Sequence, residues 1–165
     1  MRLLALFGIC CVAPLHAVDL PPLVTNGPVW LAGKAPAHLA GRPVVLFVFA
    51  RDCGNCHRSH AAVNRLHAKF GDRVAFIGIH TPEFAWEKDP RKLLRYTAQN
   101  GIRYPIYLDN EMEIWHALNN RYWPAMYVFD ATGKHQTTLI GEIHIGDETA
   151  VKVEVLLRSL MQGAK

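Results

Sequence analysis

The chain has 165 residues, half of them hydrophobic and 19% charged, with a formal net charge of +4. That length suits one domain, and that composition excludes an intrinsically disordered chain. The basic residues are spread from Arg2 to Lys165 without a stripe or a run, so the charge gives no reason to expect a nucleic-acid partner.

In chain order, Arg2 supplies a positive start. Leu3 to Leu15 form an apolar run broken by Gly8 and Pro14, and Leu15-His16-Ala17 ends as a cleavage tripeptide does. This layout predicts a secretory signal peptide over residues 1–17 and export to the periplasm. The run is too short for a membrane span, which needs about 20 residues. The expected mature domain is 18–165. Cys10 and Cys11 leave with the leader, and Cys53 and Cys56 remain. One C-x-x-C pair closes too small a loop to hold a fold together, so it calls for a chemical explanation.

Residues 18–43 are rich in Pro, Gly and Ala and read as an irregular lead-in, with a short hairpin expected near Val29-Trp30-Leu31. Val44 to Phe49 is a continuous apolar, β-rich run, which predicts a strand buried on both faces. A helix is expected from the cysteines to about Phe70. Ser59, Ala62, Val63, Leu66 and Phe70 share one side of its period, and Gly71 ends it. His57, His60, Asn64 and His67 fall on the other side and read as a hydrated polar face. Val74 to Ile79 predicts a second buried strand, so this first β-α-β unit is a right-handed parallel crossover. Asp89-Pro90 supplies a cap and a first helical position for a helix to about Gln99, stopped by Asn100-Gly101. Then come a short strand at Ile106 to Leu108, a helix over roughly Glu111 to Leu118 and a strand at Ala125 to Phe129. A turn follows at Asp130 to Gly133, a strand around Gln136 to Ile140, and a last helix from about Asp147 to Leu160.

The cysteine pair follows a buried strand directly and opens a helix. Free N–H groups and the helix dipole stabilise an anion there, and thiols so placed have pKa values of about 3.5–7.5. Cys53 is then the attacking nucleophile, and Cys56 is the resolving thiol. Asp52 is an adjacent carboxylate that works against the thiolate, with Arg51 and a protonated His57 offsetting it. Glu83, in the loop after the second strand, is a further candidate modulator from that strand's C-terminal end.

Two rivals share these residues. Cys53-Gly54-Asn55-Cys56-His57 also fits the attachment motif of c-type haem, which would consume both thiols and make His57 an axial ligand. The strand-to-helix context favours a free dithiol instead. His57, His60 and His67 with the two cysteines offer donors for a zinc or copper site, but their spacing matches no closed site.

Three segments carry a resemblance. They are Val44 to Ala50 leading into Cys53-Gly54-Asn55-Cys56, Ile77-Gly78-Ile79-His80-Thr81-Pro82-Glu83-Phe84, and Asn120-Arg121-Tyr122-Trp123-Pro124-Ala125. Together they resemble the thioredoxin-like fold and, within it, the exported TlpA/DipZ-type thiol–disulfide oxidoreductases, over about residues 23 to 162. The resemblance implies an α/β fold with a central mixed sheet flanked by helices, and an α-β insertion after the first β-α-β unit. It implies a cis Pro124 facing the cysteine pair, with the backbone of Trp123 free to pair with a substrate strand. It further implies a reductase without metal or other cofactor, acting on proteins with cysteine pairs and supplied by a membrane thiol-transfer donor. The chain departs from the pattern at four places. Asp52 replaces an aromatic residue, Phe47 a buried acid, Ser59 a glutamate and Ala61 a helix-kinking proline. The proton shuttle is therefore left without an assigned residue.

Overall fold

The computed structural model describes residues 19–22, 29–36 and 38–163. The expected signal peptide over 1–17 lies outside the described residues.

The sheet is built around β1 (Val44–Phe49), buried at every position. It is buried on both faces because it is central. β2 (Ala75–His80) pairs parallel to it on one side, and β4 (Ala125–Phe129) antiparallel on the other. α1 (Gly54–Phe70) connects β1 to β2. The insertion is α2 (Pro90–Gln99) and β3 (Ile106–Leu108), which adds parallel to β2. α3 (Glu113–Ala117) leads into β4, β5 (His135–Ile140) pairs antiparallel to β4, and α4 (Glu148–Gly163) closes the chain. The strand order β3-β2-β1-β4-β5 is the mixed, helix-flanked sheet that the sequence predicts.

Alternation along β1 divides the core. Val45, Phe47 and Phe49 face Cys56 and Leu66 of α1, Tyr96 of α2 and Leu157 of α4. Val44, Leu46 and Val48 face Trp30, Ile114, Trp115 and Leu118. Gly78 of β2 is needed for close packing, since a Cβ there would collide with Ile106 and press on Phe49.

The differences from expectation have local causes. Val74 donates its N–H to Phe70 O (2.8 Å) and so belongs to the turn after α1. The ladder opens with Ala75 N–H to Pro43 O (2.9 Å), and this carries β2 on to His80. α3 starts at Glu113, later than Glu111, because Met112 is left-handed (φ 59°) and the buried Asp109 carboxylate caps Ile114 N–H and Trp115 N–H, both at 3.0 Å. Among the described residues, no local hairpin forms at Val29-Trp30-Leu31. Trp30 bridges instead to Tyr107 of β3, and Leu31–Gly33 is a 3-10 turn.

Candidate active site

β1 delivers the chain to Ala50-Arg51-Asp52, and Cys53 then caps α1. Its backbone is extended (φ −76°, ψ 114°) and its Sγ accepts the N–H of Cys56 at 3.2 Å. The two cysteines form a disulfide with a Cα–Cα distance of 5.3 Å, inside the usual range. Cys53 is half-buried, while Cys56 is 0% exposed. The first turn of α1 holds no acidic side chain, so nothing on the helix itself opposes an anion at its N-terminus.

The turn before Cys53 is held by a residue that sequence reasoning missed. Glu87 lies in a 3-10 turn, Ala85–Lys88, and is 0% exposed. Its Oε1 accepts the N–H of Asp52 at 2.7 Å, and its Oε2 accepts the N–H groups of Glu83 (2.6 Å) and Phe84 (2.9 Å). Three donors satisfy a carboxylate that burial would otherwise penalise heavily. Glu83, the acid singled out from sequence, is exposed and takes part through its backbone. The Asp52 carboxylate pairs with Arg51 at 3.0 Å and accepts Trp86 Nε1–H at 2.9 Å. Trp86 and Phe84 are exposed and stack at 4.4 Å, so an aromatic pair borders the cysteine turn.

The polar side of α1 is not the hydrated face the period suggests, because α2 covers it. His57 alone of the four is exposed, with its ring 4.8 Å from Tyr96 of α2. His60 is 2% exposed, hydrogen bonded through Nε2 to Tyr96 Oη (2.7 Å), and set edge-on to Phe47 and Phe49. Asn64 Nδ2–H donates to Asn100 O, and the His67 ring lies 5.5 Å from Phe76 and from Tyr104. A second buried histidine, His80, ends β2 and packs on Phe49. Burial pushes both His60 and His80 down to about 4. The neighbouring His57 adds to the effect on His60. Arg51 adds to that on His80, and Asp52 opposes it. Both rings are neutral at pH 7. For the rival metal reading, no group of three or more His, Cys, Asp or Glu able to hold a metal ion occurs among the described residues.

The Trp123–Pro124 peptide bond is cis, as the resemblance implies. Trp123 is half-buried against Trp115, and its Nε1–H donates to Thr81 O at 3.0 Å, tying this loop to the end of β2. Thr81 is fixed in turn by a hydrogen bond to Asp109. The loop therefore stands at the same end of the sheet as the Cys53 turn, which leaves β1 beside it.

A mixed thioredoxin-like sheet with a C-x-x-C disulfide opening the helix after its first strand defines a thiol–disulfide oxidoreductase domain. The chain belongs to the Redoxin family, whose model matches residues 34–152. It is 41% identical over 128 residues to Protein DipZ of Mycobacterium tuberculosis, covering 77% of this chain and 18% of that protein. The chain thus spans 18% of the length of that relative. It is 29% identical over 115 residues to the thiol-disulfide oxidoreductase YkuV of Bacillus subtilis, covering 68% of this chain and 78% of YkuV. Among solved structures, a thioredoxin-like protein in its oxidized form superposes with a TM-score of 0.74 at 24% identity, covering 90% of this chain and 98% of that one. A secreted Mycobacterium tuberculosis disulfide oxidoreductase homologous to E. coli DsbE superposes with a TM-score of 0.64 at 20% identity, covering 79% and 92%.

Proposed function

We propose that the protein is exported to the periplasm and reduces disulfides of other proteins through the Cys53/Cys56 dithiol. The observation that carries this reading is the unequal access of the two sulfurs, one half-buried at the head of α1 and the other fully buried behind it. In the reductive direction the Cys53 thiolate attacks a substrate disulfide and expels one substrate thiolate. Cys56 then attacks Cys53 Sγ, the internal disulfide forms, and the second substrate thiolate leaves. Trp123 and Pro124 are the binding loop for the substrate strand, in keeping with the family resemblance. Export rests on the leader pattern of residues 1–17.

The reductive direction is supported by charge. The carboxylates of Asp52 and Glu87 both stand at the turn that carries Cys53. Negative charge there disfavours the thiolate, and a less stabilised dithiol has a more negative potential. Arg51, paired with Asp52, offsets part of this. Electrons would come from a membrane thiol-transfer protein. Equilibration of the Cys53/Cys56 couple with glutathione tests the direction. A potential more negative than about −180 mV is expected, and a value nearer the −120 mV of strong oxidants overturns it.

A further inference from the structure

We propose that the cleft between the Cys53 turn and α2 is a docking site for acidic polypeptide, so that preferred substrates carry aspartate or glutamate beside the reacting cysteine. The inference rests on the reductase reading above and deepens it by naming the substrate class.

The sequence spreads its cations along the chain, but folding gathers several of them beside the cysteines. Arg51, Asp52 and His57, from the Cys53 turn and the first turn of α1, line one cleft of about 390 Å³ together with Lys92, Arg95 and Tyr96 of α2. Cys53 follows Asp52 directly and precedes His57 by one helical turn, so the cleft opens beside the segment that presents the nucleophile. Among the described residues, Asp52 is the only acid on its lining, and it is already engaged by Arg51 and by Trp86 Nε1–H. The buried Glu87 at the same turn is saturated by three N–H donors. Lys92 and Arg95 are exposed, and among the described residues neither has an ion-pair partner. The charges of Arg51 and Asp52 cancel. The cleft is left with two uncompensated positive charges, and a third when His57 is protonated.

The pattern of α2 is a second observation. Lys92 and Arg95 are three residues apart and Arg91 and Arg95 four apart, so like charges are neighbours on its surface. Such pairs destabilise a helix. The helix carries no acidic side chain to relieve them, and the carboxylate of its N-cap, Asp89, is taken up by Arg91. A charge excess kept against helix stability, next to the reacting segment, is accounted for by a partner of opposite charge.

The reaction selects that partner. Whatever exchanges with Cys53 places a cysteine at the head of α1. An extended strand advances about 3.3 Å per residue, so two or three residues beyond that cysteine cross a cleft of this size. A carboxylate there meets Lys92 and Arg95, whereas a lysine or arginine meets like charge and is rejected. Two free cations without a basic stripe are too few to hold a nucleic-acid backbone. Because the charges are exposed, their effect falls on the rate of encounter and is screened by salt.

The test uses the full chain in its reduced form and two disulfide-linked peptide dimers. In one the cysteine is flanked by two glutamates on each side, in the other by two lysines. Release of peptide thiols after acid quench gives a second-order rate constant for each. Each constant is divided by that of dithiothreitol with the same peptide, which removes the intrinsic reactivity of the disulfide. At about 0.01 M ionic strength, where the Debye length is about 30 Å, the normalised ratio should favour the glutamate peptide at least about tenfold. At about 1 M, where that length is about 3 Å, the ratio should fall to within about twofold. Lys92→Gln combined with Arg95→Gln should bring the low-salt ratio to within about threefold. Arg73→Gln combined with Lys134→Gln removes two charges at the opposite end of the sheet, beside the start of β2 and the end of β4, and should leave the ratio as in wild type. Any effect of the cleft cations on the Cys53 thiolate alters both peptide rates alike and cancels in the ratio. A wild-type ratio near one at low salt overturns the proposal. So does a ratio that survives loss of Lys92 and Arg95, or one that falls equally in both double variants, the mark of net charge alone. Arg95→Gln alone replaces the cleft variant if the latter does not fold, with the same outcomes. If the wild-type protein reduces neither peptide, the reductase reading falls and the docking site with it, whereas reduction of both at one normalised rate removes the docking site alone.

Discussion

The backbone N–H of Asp52 donates to Glu87 Oε1 at 2.7 Å, joining positions 35 residues apart. This bond fixes the turn that presents Cys53 against the loop that leaves β2. The same carboxylate holds Glu83 N–H and Phe84 N–H on its other oxygen, so both sides of the junction depend on one buried side chain.

Glu87→Gln should therefore destabilise the fold by about 2–3 kcal/mol, because an amide cannot accept at both ends and leaves at least one buried N–H without an acceptor. Urea unfolding at pH 7 measures the loss. Removal of the negative charge should also speed alkylation of Cys53 below pH 8, since a nearby carboxylate disfavours the thiolate. An unfolding midpoint equal to wild type would show that the clamp contributes nothing.

The two buried histidines make stability depend on pH in a stated direction. Their folded pKa values, about 4, lie below the ordinary value of 6.5, so between these limits the unfolded chain binds more protons. Their contribution is complete above about pH 6.5, declines as pH falls, and is gone below about pH 4. The full swing is about 3 kcal/mol for each ring. Urea unfolding at pH 7.5 and at pH 4.5 should show most of it. His80→Phe, which keeps the packing on Phe49, should roughly halve the difference. An unchanged difference would mean that His80 titrates alike in both states.

Much of the fold was legible because its signals are local. The apolar run of β1 marks a strand buried on both faces. Asp89 caps α2 by accepting Arg91 N–H, and Pro90 occupies its first position, as the dipeptide announces. Cys53 caps α1 for the same kind of reason. What stayed hidden depends on which element covers which. His60 looked solvated because its period opposes Ser59 and Leu66, yet α2 from the insertion lies over that side and closes it with Tyr96. Glu87 gave no sign, since the wrap of a loop buries it and no helical or strand period marks such a place. Glu83, in the same loop, is exposed and gives Glu87 its backbone N–H. Asp109, which caps α3 with both oxygens, sits after a strand too short to advertise its end.

The unequal access of the cysteines predicts unequal trapping. Cys56→Ser leaves Cys53 able to attack but removes the thiol that resolves the adduct, so stable mixed disulfides should accumulate on Cys53. Cys53→Ser leaves only the fully buried Cys56 and should trap at least about tenfold less. Non-reducing electrophoresis after exposure to a disulfide-bonded protein reads both variants. Equal trapping would reverse or erase the assignment of nucleophile and resolving thiol.

Asp52 should make the dithiol more reducing, by an amount that its partners limit. It precedes Cys53 directly, so its charge disfavours a thiolate there and thereby the reduced form. Its two oxygens are engaged by Arg51 and by Trp86 Nε1–H. The guanidinium cancels part of the field, and exposure to solvent screens more of it. The indole acts differently, holding the carboxylate in place without altering its charge. Asp52→Asn retains an acceptor for Trp86 and removes the charge, which separates the two roles. The Cys53 pKa should fall by less than about one unit, and the potential should rise by less than about 30 mV, the equivalent of about one pKa unit in a two-electron couple. Trp86→Phe frees the carboxylate and should change the potential less than Asp52→Asn does. Alkylation of Cys53 across pH and equilibration with glutathione give both numbers. A Cys53 pKa that is unchanged or higher in Asp52→Asn, or a potential that becomes more negative, would show that Asp52 does not set the poise of the couple.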